Sequence, residues 1–233
     1  MRGSPNGIHP FFSGSGPHGN VRFNFLRRDP YSLPALDLSA YAAGYHRAGR
    51  SLVDSLAARN GFADYEGYPI LFLYRHALEL NMKAFIYRGA MCAGLMDGCS
   101  MGAEWIYRSH DLLRLLPALR EVFAHVGGSG DFGLPGLNTW EDFCGLVRGI
   151  DSLDHGSYAF RYPMDTAGEP SHPHHLVVNV IAFGRNMDPV LDMLNAAVCG
   201  LEELWQNAAE ACHFLQEVAK EWSEEQRRLT EDR

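Results

Sequence analysis

Residues Tyr68–Arg88, YPILFLYRHALELNMKAFIYR, decide how this chain folds. At about 100° per residue, Arg75, His76, Glu79 and Lys83 fall within one arc of roughly 100°. Nearly every other position is Ile, Leu, Phe, Tyr, Met or Ala. A helix that is apolar over most of its circumference is covered by protein on most sides. Four ionisable groups on one stripe of it therefore either pair with one another or line a groove. Arg75 to Glu79 and Glu79 to Lys83 are each four apart, and His76 is three before Glu79, so an intrahelical ion ladder is open to them. The second reading, a groove facing an anion or nucleotide, stays open beside it.

The flanking sequence predicts further helices. A first helix is expected from about Leu36 to Arg59, with Leu38, Tyr41, Tyr45, Leu52 and Leu56 on one side and Asn60-Gly61 as its stop. The second begins at Tyr68, with Pro69 in its first turn, and Gly89–Gly102 reads as a loop. A third starts at Ser109-His110-Asp111, with Ser109 as N-cap and Leu112, Leu115, Leu116, Leu119 and Phe123 as its buried stripe; Pro117 is expected to kink it. Thr139-Trp140-Glu141-Asp142 resembles a capping box with Asp for Glu and opens a fourth helix.

Tyr158–Asp165 and Leu176–Phe183 look extended, which predicts a small β-hairpin or extended arm over about 158–183. From Asp188-Pro189 a seam of Leu191, Leu194, Val198, Leu201, Trp205, Ala208, Cys212, Leu215, Ala219 and Trp222 alternates spacings of three and four. One long helix over about 189–222 is expected there, packed on its own bundle or on a second copy. Residues 1–30 are rich in Gly, Pro, Ser and His and are expected to form a mobile arm; 31–233 reads as one domain.

Composition removes several function classes. A net charge of −8 argues against a constitutive duplex-DNA or membrane-surface binder. The five cysteines are odd in number and form no CxxC, so reduced thiols and a cytoplasmic location are expected. The apolar run Tyr68–Tyr74 is too short to span a bilayer, and MRGSPNGIHPFF lacks a signal-peptide core. His172, His174 and His175 form the densest histidine cluster, but no carboxylate or Cys stands at matching spacing. With no GxGxxG, Walker-type loop, GxSxG or HExxH, neither a cofactor nor a resident metal is expected.

The order of motifs carries a further reading. Arg75-His76-Ala77-Leu78-Glu79-Leu80 with Lys83-Ala84 is followed by Ser109-His110-Asp111-Leu112, then Asp151, Ser157 and Phe160-Arg161-Tyr162-Pro163. Over about Tyr68–Asp165 this resembles the HEPN superfamily of small helical bundles. The resemblance implies an all-α, antiparallel HEPN-like bundle with a long C-terminal helix, often homodimeric. It also implies binding of RNA or nucleotides, or metal-independent endoribonuclease activity in a toxin or defence setting, where a cognate regulatory protein is a possible partner. Catalytic relatives place a His within about six residues of an Arg. Arg148 and His155 here have six intervening residues, with Gly149 where relatives carry a polar neighbour and Ser157 inserted before Tyr158.

The chemistry fits such a pair. Moving a 2′-OH proton without a metal needs a group titrating near neutrality, which His supplies. Developing phosphate charge needs a fixed positive fork, which Arg supplies. His110 and Asp111 either begin a helix without further role or complete a polar pocket with the Arg75/Glu79 stripe. Arg161, between two aromatics, is expected to point away from Phe160 and Tyr162, towards solvent, Asp151 or a phosphate. Arg75, His76, Glu79, Lys83, His110, Asp111, Asp151 and Arg161 are the candidate ligand-binding set, and Arg148 and His155 the candidate catalytic pair. A non-catalytic sensing module and a helical interaction protein with a merely structural stripe remain as alternatives.

Overall fold

In the computed structural model, residues 37–59, 64–97, 106, 108–126, 132–172 and 176–231 are described, all of them within one contact unit, Pro34–Arg233. They form five α-helices: α1 (Leu38–Ala57), α2 (Asp64–Asp97), α3 (Leu112–His125), α4 (Trp140–Leu153) and α5 (Val180–Glu231). A single 3-10 turn, His155–Ser157, follows α4. The expected arm and the residues 174–175 of the histidine cluster lie outside the described residues.

Helix α2 is the axis of the bundle and packs against α1, α3 and α5, while α4 packs on α3. Its Ile70, Tyr74, Ala77, Leu78, Met82, Phe85 and Ile86 are buried, as the apolar circumference required. Facing them are Val53 of α1, Leu112, Leu115 and Leu119 of α3, Phe143, Val147 and Ile150 of α4, and Leu191, Leu194 and Val198 of α5. Each such side chain contributes about 1.5–3 kcal/mol relative to exposure.

Several expectations are corrected. Helix α2 continues to Asp97 through the first part of the expected Gly89–Gly102 loop. Gly89 marks close packing rather than a helix end: a Cβ there would stand 2.0 Å from a Val122 methyl of α3. In α1 the buried face is Ala42, His46, Gly49, Val53 and Leu56, whereas the expected Tyr41 and Leu52 are exposed. Gly49 faces the Tyr74 ring, which a Cβ would meet at 2.9 Å, so the smallest residue sets this face. The N-cap of α3 is Asp111, whose carboxylate accepts from the Leu113 and Arg114 amides, and Pro117 lies within an unbroken helix. The Thr139–Asp142 capping box is present as read.

Among the described residues there is no β-strand, only isolated bridges, including Met164 with Pro170. The 158–165 run is instead a set of turns, because Asp154 Oδ1 accepts from both the Tyr158 and Ala159 amides, at 2.7 and 2.6 Å. Those amides would otherwise serve a strand ladder. Helix α5 begins before the expected Asp188-Pro189: Asn179 Oδ1 accepts from Ala182 N at 3.0 Å, an N-cap hidden inside an apolar run. Its seam is buried only as far as Leu201. Beyond that no described side chain is buried, and Phe214 and Leu215 are exposed. No helix among the described residues is long and apolar enough to cross a membrane.

Candidate functional site

The polar stripe of α2 is a closed ion network. Arg75 and Glu79 are fully buried and the Lys83 side chain is only 4 % exposed. Arg75 Nη1 donates to Glu79 Oε2 at 2.9 Å, and Lys83 Nζ donates to Glu79 Oε1 at 2.7 Å. Asp154, which the sequence reading had passed over, is also buried, with Oδ2 3.4 Å from Arg75 Nε. Two cations and two carboxylates therefore balance, which a dry interior demands. Burial alone would push the Glu79 carboxyl up, but the hydrogen bonds and charges of Lys83 and Arg75 outweigh it and hold it below the usual carboxylate range. The ladder reading of the stripe is the one realised. Arg75, Glu79 and Lys83 do not line an open groove, because each charged head is consumed by a neighbour.

The remaining donors of Arg75 tie two backbone segments together. Nη2 donates to the His110 carbonyl at 2.8 Å and Nε to the Asp154 carbonyl at 2.9 Å. One planar guanidinium thus fixes the start of α3 against the end of α4. The two histidines at these places face outward: the His110 side chain is 58 % exposed and the His155 side chain 73 %. Each is anchored through Nδ1 on a buried carboxylate, His110 on Glu79 Oε1 at 3.0 Å and His155 on Asp151 Oδ2 at 2.9 Å. A carboxylate accepts only, so Nδ1 carries the proton and Nε2 is the atom offered to solvent. Hydrogen bonding to Asp151 and its charge raise the His155 pKa; slight burial and Arg75 oppose this, and Asp111 adds to it.

Ligand atoms of Asp111, Asp151 and His155 lie within 4.8 Å of one another. Two carboxylates and an imidazole are donors that a divalent cation accepts. The carboxylates already serve α3, however: Asp111 as its cap, and Asp151 through Oδ1, which receives the Leu112 amide at 3.4 Å. Linear spacing could not display this group, because Asp111 and Asp151 belong to different helices.

A groove of about 590 Å³ opens beside His155, lined among others by Ser152, Tyr158, Asp165, His172 and Leu176. Arg148 is exposed on α4, about two turns before His155, and is not part of that lining. Arg161 is exposed while Phe160 is buried, as expected, but it does not point away from Tyr162. Its Nε donates to the Ser157 carbonyl at 2.6 Å, and its guanidinium carbon stands 5.6 Å from the Tyr162 ring and 5.7 Å from that of Phe72. His76 stacks on Phe72 at 5.4 Å, and its buried Nδ1 has no protein partner. Burial lowers its pKa, with Glu79 opposing and Arg75, Lys83 and Arg161 adding to the effect.

The candidate residues thus sort into a buried scaffold (Arg75, Glu79, Lys83), a rim of two exposed histidines with the half-buried Asp111 and the buried Asp151 that anchors His155 (His110, Asp111, Asp151, His155), and a ring-stacked cation with its histidine (Arg161, His76). Compared with family models, with curated proteins and with solved structures, the chain finds no match.

Proposed function

We propose that the chain is a HEPN-like RNA-binding protein that cleaves phosphodiester bonds by metal-independent acid–base chemistry at His155. The observation that supports this most is the 2.9 Å contact from His155 Nδ1 to the buried Asp151, on an imidazole otherwise open to solvent beside a groove. Asp151 fixes the tautomer and orientation, and Nε2 is left free to exchange a proton with substrate. In the reaction the 2′-oxygen attacks phosphorus as its proton leaves, and the P–O5′ bond breaks as O5′ gains a proton. The products are a 2′,3′-cyclic phosphate and a 5′-hydroxyl end. Arg148 and Arg161 are the exposed guanidinium groups nearest in sequence to the dyad and supply charge for the phosphate.

The test is cleavage of a labelled single-stranded RNA by the full chain with EDTA present. His155→Ala should lower the rate by about 10²–10⁴, and Arg148→Ala should lower it too. A wild-type chain without activity would remove the proposal. The grouping of Asp111, Asp151 and His155 favours a second reading, cation-assisted cleavage. Activity lost in EDTA and restored by Mn²⁺ or Zn²⁺ would select it.

A further inference from the structure

Building on the proposed reaction at His155, we propose that His110 is the second half of the acid–base pair: it takes the 2′-OH proton while His155 protonates the leaving 5′-oxygen. Cleavage by transesterification needs both transfers at once, one on each side of the phosphorus, and a single imidazole serves only one of them in a given step. In balance, the 2′-O–H proton passes to His110 Nε2, the 2′-O–P bond forms, the P–O5′ bond breaks, and the proton on His155 Nε2 passes to O5′. Solvent then returns both histidines to their starting forms.

Three observations carry the assignment. First, His110 repeats the construction of His155: an exposed ring whose Nδ1 is hydrogen-bonded to a buried carboxylate, with Nε2 outward. Exposed histidines held in this way lose rotamer freedom that an ordinary surface side chain keeps. Second, both are placed by the same guanidinium, since Arg75 binds the carbonyl of His110 itself and that of Asp154, the residue before His155. Third, Asp111, next to His110, comes within 4.8 Å of the ligand atoms of Asp151 and His155, which brings the start of α3 up to the turn that carries His155. The division of roles follows from their surroundings. His155 stands against two carboxylates, Asp151 and Asp111. His110 stands against one, Glu79, which Arg75 and Lys83 also engage.

Two substrates separate the roles: a ribodinucleotide, whose 5′-alkoxide leaves poorly, and a ribonucleoside 3′-(p-nitrophenyl phosphate), whose leaving group needs no proton. For the full chain, His110→Ala and His110→Gln should each reduce kcat/KM on both substrates by about 10²–10⁴. His155→Ala should reduce it by as much on the dinucleotide but by less than about tenfold on the activated ester. Thermal melts of the His110 variants should stay close to wild type, because the ring is exposed. Cleavage that depends on His155 but survives both His110 variants overturns this inference and leaves the His155 reaction intact. The opposite substrate pattern overturns the division of roles. A wild-type chain inactive on both substrates removes the underlying reaction itself.

Discussion

Glu79 joins two regions built from the same residue types for opposite ends. On its inner side, Arg75, Lys83 and Asp154 have no exposure to speak of and every formal charge has a counter-charge. On its outer side, His110 uses the same carboxylate yet leaves most of its ring in water, as His155 does on Asp151. The difference is what each charge is free to do. A buried ion held by neighbours cannot change its protonation without unsettling the core, whereas an anchored but exposed imidazole can exchange protons without moving. Proton exchange with solvent is open to the two exposed imidazoles and closed to the buried ions.

The contrast is most sharply tested by truncating each side in turn. Glu79→Ala strands Lys83 in the interior, leaves Arg75 with Asp154 alone, and should cost about 3–5 kcal/mol, a fall in Tm of roughly 10 °C for a chain of this size. His110→Ala should cost less than about 0.5 kcal/mol, as surface changes usually do. Chemical denaturation of both variants checks this, and similar losses would erase the distinction.

A smaller effect separates the regions by pH. Glu79 has a depressed pKa in the folded chain, so its contribution to stability is complete above its ordinary value of 4.5 and is lost as pH falls through the lower folded value. His155 is raised above 6.5 by Asp151 and, more weakly, Asp111, against Arg75 and slight burial. The stability linked to it is therefore present below 6.5 and fades as pH rises through the folded value. Unfolding midpoints should drop in acid while the alkaline limb of kcat/KM lies above 6.5. Asp151→Asn should move that limb down towards 6.5, read from the pH–rate profile, and leave the acid unfolding unchanged. A limb that stays in place would mean that Asp151 does not tune His155.

Much of this scaffold was legible in the sequence. The apolar circumference of Tyr68–Arg88 places α2 at the centre, and four-residue spacing allows the Arg75–Glu79–Lys83 ladder without deciding between it and an open groove. Thr139 and Asp142 announced their capping box because both partners lie within one turn. Asp154 was not legible: its partners are a guanidinium from another helix and two amides of a later turn, and no local pattern records such contacts. The contact of His110 with Glu79, thirty-one positions apart, is one of the two readings that the sequence leaves open, whereas the approach of Asp111 to Asp151 has no local signal at all. Gly89 misled for a related reason. Its meaning lay in Val122 across the helix interface, whereas a single chain shows only a residue that favours stops.

One consequence follows from the double duty of Asp154. Its Oδ1 holds the amides that close the turn after His155, while its Oδ2 faces the Arg75 guanidinium. Swinging that turn outward would strip the buried Asp154 carboxylate of its two amides and of its contact with Arg75. Local opening of the rim therefore costs contacts of the core as well as its own. For the reaction proposed at His155, a rim held in this way favours single-stranded, bendable nucleic acid over a stiff duplex.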